Sequence, residues 1–160
     1  MKVKNILILS LFVVSLLGFG NQAKAQLYNS ALGLRLGATN GITFKSFVKN
    51  NAAIEAIGTF RYRGFGLTGL YEVHGRAFQS RDFNWFIGGG GHVYFWGDDR
   101  PNWIDGNTRS VLGLDGIIGL EGKFRTIPLA VSLDWKPAIN IINYSGLWAD
   151  EIALSFRYTW

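Results

Sequence analysis

The sequence predicts an all-β protein: an eight-stranded antiparallel transmembrane β-barrel, wound as an up-and-down meander. Three observations predict it. Apolar and polar residues alternate with period two through most of the chain after residue 25. The charges within those stretches share one of the two faces. The composition, with 12 Phe, 6 Tyr, 6 Trp and 21 Gly but only 3 Pro, favours strands over helices. No run of 18 apolar residues follows residue 25, so no helical span is expected.

Residues 1–25 read as a secretory signal peptide, and residues 26–160 as the barrel domain. Lys2 and Lys4 form a basic start, residues 6–18 an apolar run of 13, and Ala23 and Ala25 the small residues that a signal peptidase reads. The run falls short of the roughly 20 residues that cross a bilayer as a helix. Cleavage before Gln26 removes Lys2, Lys4 and Lys24, and the balance of 16 basic to 11 acidic residues becomes 13 to 11. Such a small excess gives no argument for a nucleic-acid partner. The chain has no Cys, which excludes disulfides, a thiolate nucleophile and a lipid-modified N-terminal cysteine.

The strands follow in order. Residues 31–37 set Leu32, Leu34 and Leu36 against Arg35, and residues 42–48 set Ile42, Phe44 and Val48 against Thr43 and Lys45. Residues 53–63 alternate Ile54, Ala56, Gly58, Phe60 and Tyr62 with Glu55, Ile57, Thr59, Arg61 and Arg63. Residues 65–78 return from a hairpin at Gly64, with Phe65, Leu67, Tyr71 and Val73 opposed to Thr68, Glu72, His74 and Arg76. In residues 85–96 the apolar face is Trp85, Ile87, Val93 and Phe95, the other Phe86, His92, Tyr94 and Trp96. Residues 111–123 oppose Leu112, Leu114, Ile118 and Leu120 to Asp115, Ile117, Glu121 and Lys123. Residues 127–137 oppose Leu129, Val131, Leu133 and Trp135 to Ser132, Asp134 and Lys136, and residues 151–160 oppose Ile152, Leu154, Phe156, Tyr158 and Trp160 to Glu151, Ser155 and Arg157.

At about 9 to 11 residues per membrane-spanning strand, eight strands fit the 135 residues and leave room for the connections. Short turns are expected near residues 49–51, 79–82 and 123–126. On the other side lie turns at residues 39–41 and Gly64 and two longer loops, residues 97–109 and 138–150. Short turns on one side with longer loops on the other suit an outer-membrane barrel.

The charged face comprises Arg35, Lys45, Arg61, Arg76, Lys123, Lys136 and Arg157 with Glu55, Glu72, Asp115, Glu121, Asp134 and Glu151. Near-balance of sign allows a paired interior network, and the apolar face is left with nothing in the chain to cover it, which points to lipid. Tyr62, Phe65, Phe95 and Trp135 would form one aromatic girdle, and Trp85, Tyr158 and Trp160 the other.

Through this architecture and the C-terminal SFRYTW, with Tyr158 and Trp160, the chain resembles the small eight-stranded outer-membrane barrels of the OmpA transmembrane-domain and OmpX type, in a Bacteroidetes-like style. The resemblance implies a place in the cell outer membrane of a Gram-negative envelope. It also implies contact with outer-membrane lipids and lipopolysaccharide, and recognition of the last strand by the barrel-insertion machinery. A structural or surface-interaction role follows, with an extracellular partner met through the two long loops. A narrow pore or small-ligand barrel, and a lipid A-modifying enzyme, are the alternatives.

No catalytic, cofactor-binding or metal residue is assigned. His74 and His92, the two histidines, face inward and could serve a metal or acid–base role with Glu72 or Asp115, but membership of an interior network is the plainer reading. Residues 88–91, four glycines, lack the Lys-Ser/Thr and helix of a phosphate loop and are expected to make room for Phe86, Tyr94 and Trp96 or to permit a bend. Asp98, Asp99 and Asp105, with Arg100, could hold a cation or bridge to lipopolysaccharide, yet depart from the calcium-loop spacing. The apolar stretch at residues 139–144, with Trp148 beyond it, is either a binding patch or the neighbouring strands continuing.

Overall fold

The computed structural model describes residues 26–61, 64–78, 80–96, 110–142 and 146–160. The expectations placed on the signal peptide, Tyr62, Arg63, the acidic loop at residues 97–109 and Tyr144 lie outside them, as do the side chains of Arg61 and Trp96.

Ten strand segments form one antiparallel sheet: β1 (Ser30–Gly37), β2 (Asn40–Lys49), β3 (Ala52–Arg61), β4 (Gly64–Arg76), β5 (Phe83–Trp96), β6 (Ser110–Lys123), β7 (Leu129–Trp135), β8 (Ala138–Ile142), β9 (Gly146–Trp148) and β10 (Ile152–Thr159). Each pairs with its sequence neighbour from β1 to β6, and β10 pairs with both β1 and β7. The sheet therefore closes on itself, which leaves no long open edge.

Ten segments make eight staves. β7 pairs with the second half of β6, Ile118–Lys123, while β8 pairs with its first half, Leu112–Asp115. They are one stave, interrupted at Pro137, which has no N–H for a ladder. β9 pairs with β8, and β10 continues the last stave beyond residues 149–151. The expected loop at residues 138–150 is thus largely sheet. Ile139 and Ile141 face outward and Asn140 inward, so this stretch is strand continuing and not a loop patch.

The expected alternation sorts the staves correctly where they are long. Inside lie Arg35, Lys45, Lys136 and Arg157 with Glu55, Glu72, Asp115, Glu121, Asp134 and Glu151, all buried. Arg76 is exposed and Lys123 half-buried, because each ends its strand at the rim. Apolar side chains complete the filling: Ile57, Leu70, Phe86 and Ile117 pack as one cluster, and Tyr94 with Val111 as another. Burying a side chain of this kind contributes about 1.5–3 kcal/mol.

Glycine makes this filling fit. A Cβ at Gly66 would collide with the Tyr94 ring, and one at Gly119 with the Phe86 ring. The room expected from residues 88–91 is supplied for these rings by glycines on the flanking staves. Within residues 88–91, Gly90 lies against the backbone of Gly69, an approach that a side chain would block.

The interior corrects the expectation of a transmembrane barrel. Lipid was inferred because charge occupies one face and nothing in the chain covers the other. The charged face is a closed, ion-paired core in which cations and carboxylates find partners across the barrel. A self-contained barrel accounts for that segregation without a membrane. With the charges enclosed in this way, the OmpA/OmpX-type assignment, the outer-membrane and Gram-negative placement, and the contacts with lipids, lipopolysaccharide and insertion machinery lose their support. So do the envelope-surface role and its pore and lipid A alternatives. The outward residues are exposed on every stave, among them Leu34, Phe60, Leu67, Leu114, Leu133 and Tyr158. No helix among the described residues is long and apolar enough to cross a membrane, which says nothing about a barrel.

Candidate functional site

Among the described residues, chemistry-bearing side chains converge in the polar interior, and period two is why. Residues at alternate positions of every stave point to the axis, so charges distant in sequence meet there. They form two connected groups.

The lower group centres on Lys45 and Arg157. Lys45 Nζ lies 2.7 Å from Glu72, 3.0 Å from Glu55 and 3.7 Å from Glu121. Arg157 spans the barrel, with Nη2 donating to Glu55 at 2.6 Å and Nη1 to Glu121 at 3.1 Å and to Ser132 at 2.7 Å. Thr43 donates to Glu55, and the Tyr28 hydroxyl lies 3.0 Å from both oxygens of Glu121. His74 Nε2 is 3.0 Å from Glu72, and its ring stacks on Phe86 at 5.3 Å. Lys45 also sits 4.2 Å from the centroid of the Phe86 ring.

Burial opposes the charged forms of Lys45 and Arg157, yet the surrounding carboxylates outweigh it and hold both above their ordinary values. Burial likewise pushes the Glu55 carboxyl up, but Arg157 and Lys45 prevail and hold it well below its ordinary range. Burial, with Lys45 beside it, brings His74 down to about 2, so its ring is neutral.

The upper group begins where Arg35 grips Asp134 in a bidentate pair at 2.7 and 2.8 Å. Glu151 lies 3.5 Å from Arg35 and accepts from the Thr39 hydroxyl at 2.8 Å. Lys136 joins Glu151 at 3.1 Å to Asp115 at 2.9 Å. Asp115 meets His92 Nδ1 at 2.7 Å, and His92 Nε2 is 2.8 Å from Asn140 Oδ1. Trp148 stacks over His92 at 6.1 Å, and the Tyr94 hydroxyl is 3.1 Å from that of Thr59. Burial raises the Asp115 carboxyl, but the hydrogen bond from His92 and the charge of Lys136 outweigh it and leave it lowered.

The two histidines do not form one site. In the β4–β5 register His74 stands opposite Phe86 and His92 opposite Thr68, six positions apart along the staves. Each is engaged by its own carboxylate, Glu72 or Asp115. No group of three or more His, Cys, Asp or Glu side chains among the described residues could hold a metal ion. A histidine–carboxylate pair is half of a nucleophile-activating arrangement, but the partners of His92 are Asp115 and Asn140, with no hydroxyl nucleophile on either ring nitrogen.

Sequence reasoning found the charged members of this network and both histidines, and missed its pairing. Which stave faces which across the axis depends on closure, and alternation carries no trace of it. Asn140 was missed, because its stretch, either a patch or a strand continuing, was assigned no inward face. Tyr28 lies before the first expected strand.

Two cavities lie at the turn end. One of about 390 Å³ is lined by Tyr28, Lys123, Arg125, Thr126, Thr159 and Trp160, among others; another of about 150 Å³ shares Lys123 and Arg125 and adds Arg81 and Asp82. An apolar groove of about 420 Å³ runs along the outside between Trp85, Leu120, Leu133 and Trp135.

Comparison of the chain with protein-family models, curated proteins and solved structures finds no match. The resemblance to outer-membrane barrels gains nothing from them.

Proposed function

We propose that this chain is a non-enzymatic structural or binding barrel that works through its surface and its ends, with its interior serving as a scaffold. The observation that carries this reading is the filled axis. The ion-paired groups and the clusters around Phe86 and Tyr94 take the space that a lipocalin-like barrel gives to a ligand. Every charged side chain that could do chemistry there is committed to a buried partner, and a reactant would have to break those pairs to enter.

Sedimentation of residues 26–160, refolded in detergent-free buffer, tests this. A monodisperse species with a β-type circular dichroism spectrum supports a self-contained barrel. Precipitation, or flotation with phospholipid vesicles, overturns it. The exposed outward residues, Leu34 and Tyr158 among them, make this the measurement on which the reading stands or falls.

A further inference from the structure

We propose that the lower ion-pair group is a proton-binding site in which Glu55 and Glu72 share one proton at neutral pH, and that this proton completes the core.

The argument begins with charge. Two cations, Lys45 and Arg157, face three carboxyl groups, Glu55, Glu72 and Glu121, and all five side chains are wholly buried. Among the described residues, the other polar groups hydrogen-bonded to them are Tyr28, Thr43, Ser132 and His74; the Arg35–Asp134 pair, which lies within electrostatic reach of Glu55, is neutral as a pair. None supplies a positive charge, since His74 is neutral and burial holds the Tyr28 phenol well above its ordinary value. Three carboxylates would leave one negative charge uncompensated in a closed interior, which is far costlier than a neutral carboxyl. One proton removes it.

Geometry says where that proton goes. Arg157 binds Glu55 and Glu121 but not Glu72, and Glu121 also receives the Tyr28 hydroxyl. Glu72 has one cation, Lys45, and a neutral imidazole. It is the carboxyl least supported as an anion. Glu72 Oε1 is buried and accepts no hydrogen bond, and Glu55 Oε2 has only the Lys45 ammonium, 3.0 Å away. The two carboxyl groups also act on each other as hydrogen-bonding side chains, which two carboxylates cannot do; a proton on Glu72 supplies the donor. Burial first, then the charge of Glu55, pushes the Glu72 carboxyl well above its ordinary value.

Infrared difference spectroscopy of the folded chain at pH 7 reads the site directly. The expected result is a carboxylic-acid carbonyl band that shifts on labelling with ¹³C-glutamate, disappears in Glu72→Gln and is unaffected by Asp134→Asn. Glu72→Gln keeps a donor for Glu55 and is expected to fold. Measured against Glu72→Gln, the wild-type urea midpoint should fall as pH rises above about 4.5, the ordinary value of the group, toward its elevated folded value. Absence of a protonated glutamic acid band at pH 7 overturns the proposal, and so does an unchanged band in Glu72→Gln or a midpoint difference between that variant and the wild type that does not change with pH. Should that variant fail to fold, the glutamate-labelled wild-type spectrum alone decides: a shifted band sustains the proposal and no shifted band ends it.

Discussion

Arg157 holds two carboxylates that come from nearly opposite sides of the barrel, Glu55 on β3 and Glu121 on β6. Breaking a buried pair by removing one partner costs more than the pair itself contributes, because the other charge is stranded. Arg157→Met is expected to lower unfolding free energy in urea by about 3–5 kcal/mol. Arg125 offers the control: it pairs with Asp82 at 2.7 Å at the exposed rim, and Arg125→Met should leave the midpoint unchanged. His74 gives a second expectation. Its folded value of about 2 lies below the ordinary 6.5, so the unfolded chain binds the extra proton. The stabilisation from a neutral His74 is fully present above about pH 6.5 and is lost progressively as pH falls toward 2. The Glu72 proton acts in the opposite sense over part of this window, so the test is a difference: from pH 7 to 4 the urea midpoint of the wild type should fall relative to that of His74→Phe. A difference between wild type and variant that stays constant over this range would refute the assignment.

Elements are where the sequence is most and least legible. Long staves such as β4 and β6 show their two faces plainly, because a side-chain period of two cannot drift over a dozen residues. Strand ends do not: Arg76 and Lys123 share the parity of the inner face yet sit at the rim. The interrupted stave β7–β8 was one of two open readings of residues 139–144, because Pro137 reads as an end to a strand and the partner of its continuation, the first half of β6, is distant in sequence. Apolar residues of the inner face, Ile57, Leu70 and Ile117, give alternation no contrast and fill gaps that only closure defines. The β4–β5 turn carries a testable strain. Phe78 has φ of 53° and is 81% exposed, so it holds a left-handed backbone with no packing in return. Phe78→Asn, a residue that tolerates this region, should raise stability by about 1 kcal/mol in urea unfolding. Gly66→Ala should do the reverse, because its Cβ meets the Tyr94 ring and the Thr59 hydroxyl that bonds it; overpacking of this kind costs about 1–3 kcal/mol.

At the scale of the whole molecule, closure and cross-barrel pairing act on the same staves. The sheet ladder joins neighbours, while several ion pairs join staves that are not paired in it: β1 to β7 through Arg35 and Asp134, β2 to β6 through Lys45 and Glu121, β10 to β3 through Arg157 and Glu55. A stave lost from the ring would expose several buried charges at once, so partial opening of that part of the barrel is as costly as complete unfolding. The β8–β9 end differs. These strands have five and three residues, and β9 is paired only with β8. Its opening would disturb Asn140 and Trp148 but leave the Arg157 group intact. Native-state hydrogen exchange should then resolve two classes of amide. Those of β2 to β6 around Lys45 and Glu72 should exchange only through global unfolding, with urea dependence equal to that of the whole chain. Those of β8 and β9 should exchange through a smaller opening with a shallower dependence. In Arg157→Met the first class should lose protection by the full loss of global stability, and the second should scarcely change. Equal protection and equal urea dependence across β8, β9 and β4 would show that the barrel opens as one body, and that the cross-barrel pairs do not set its cooperativity.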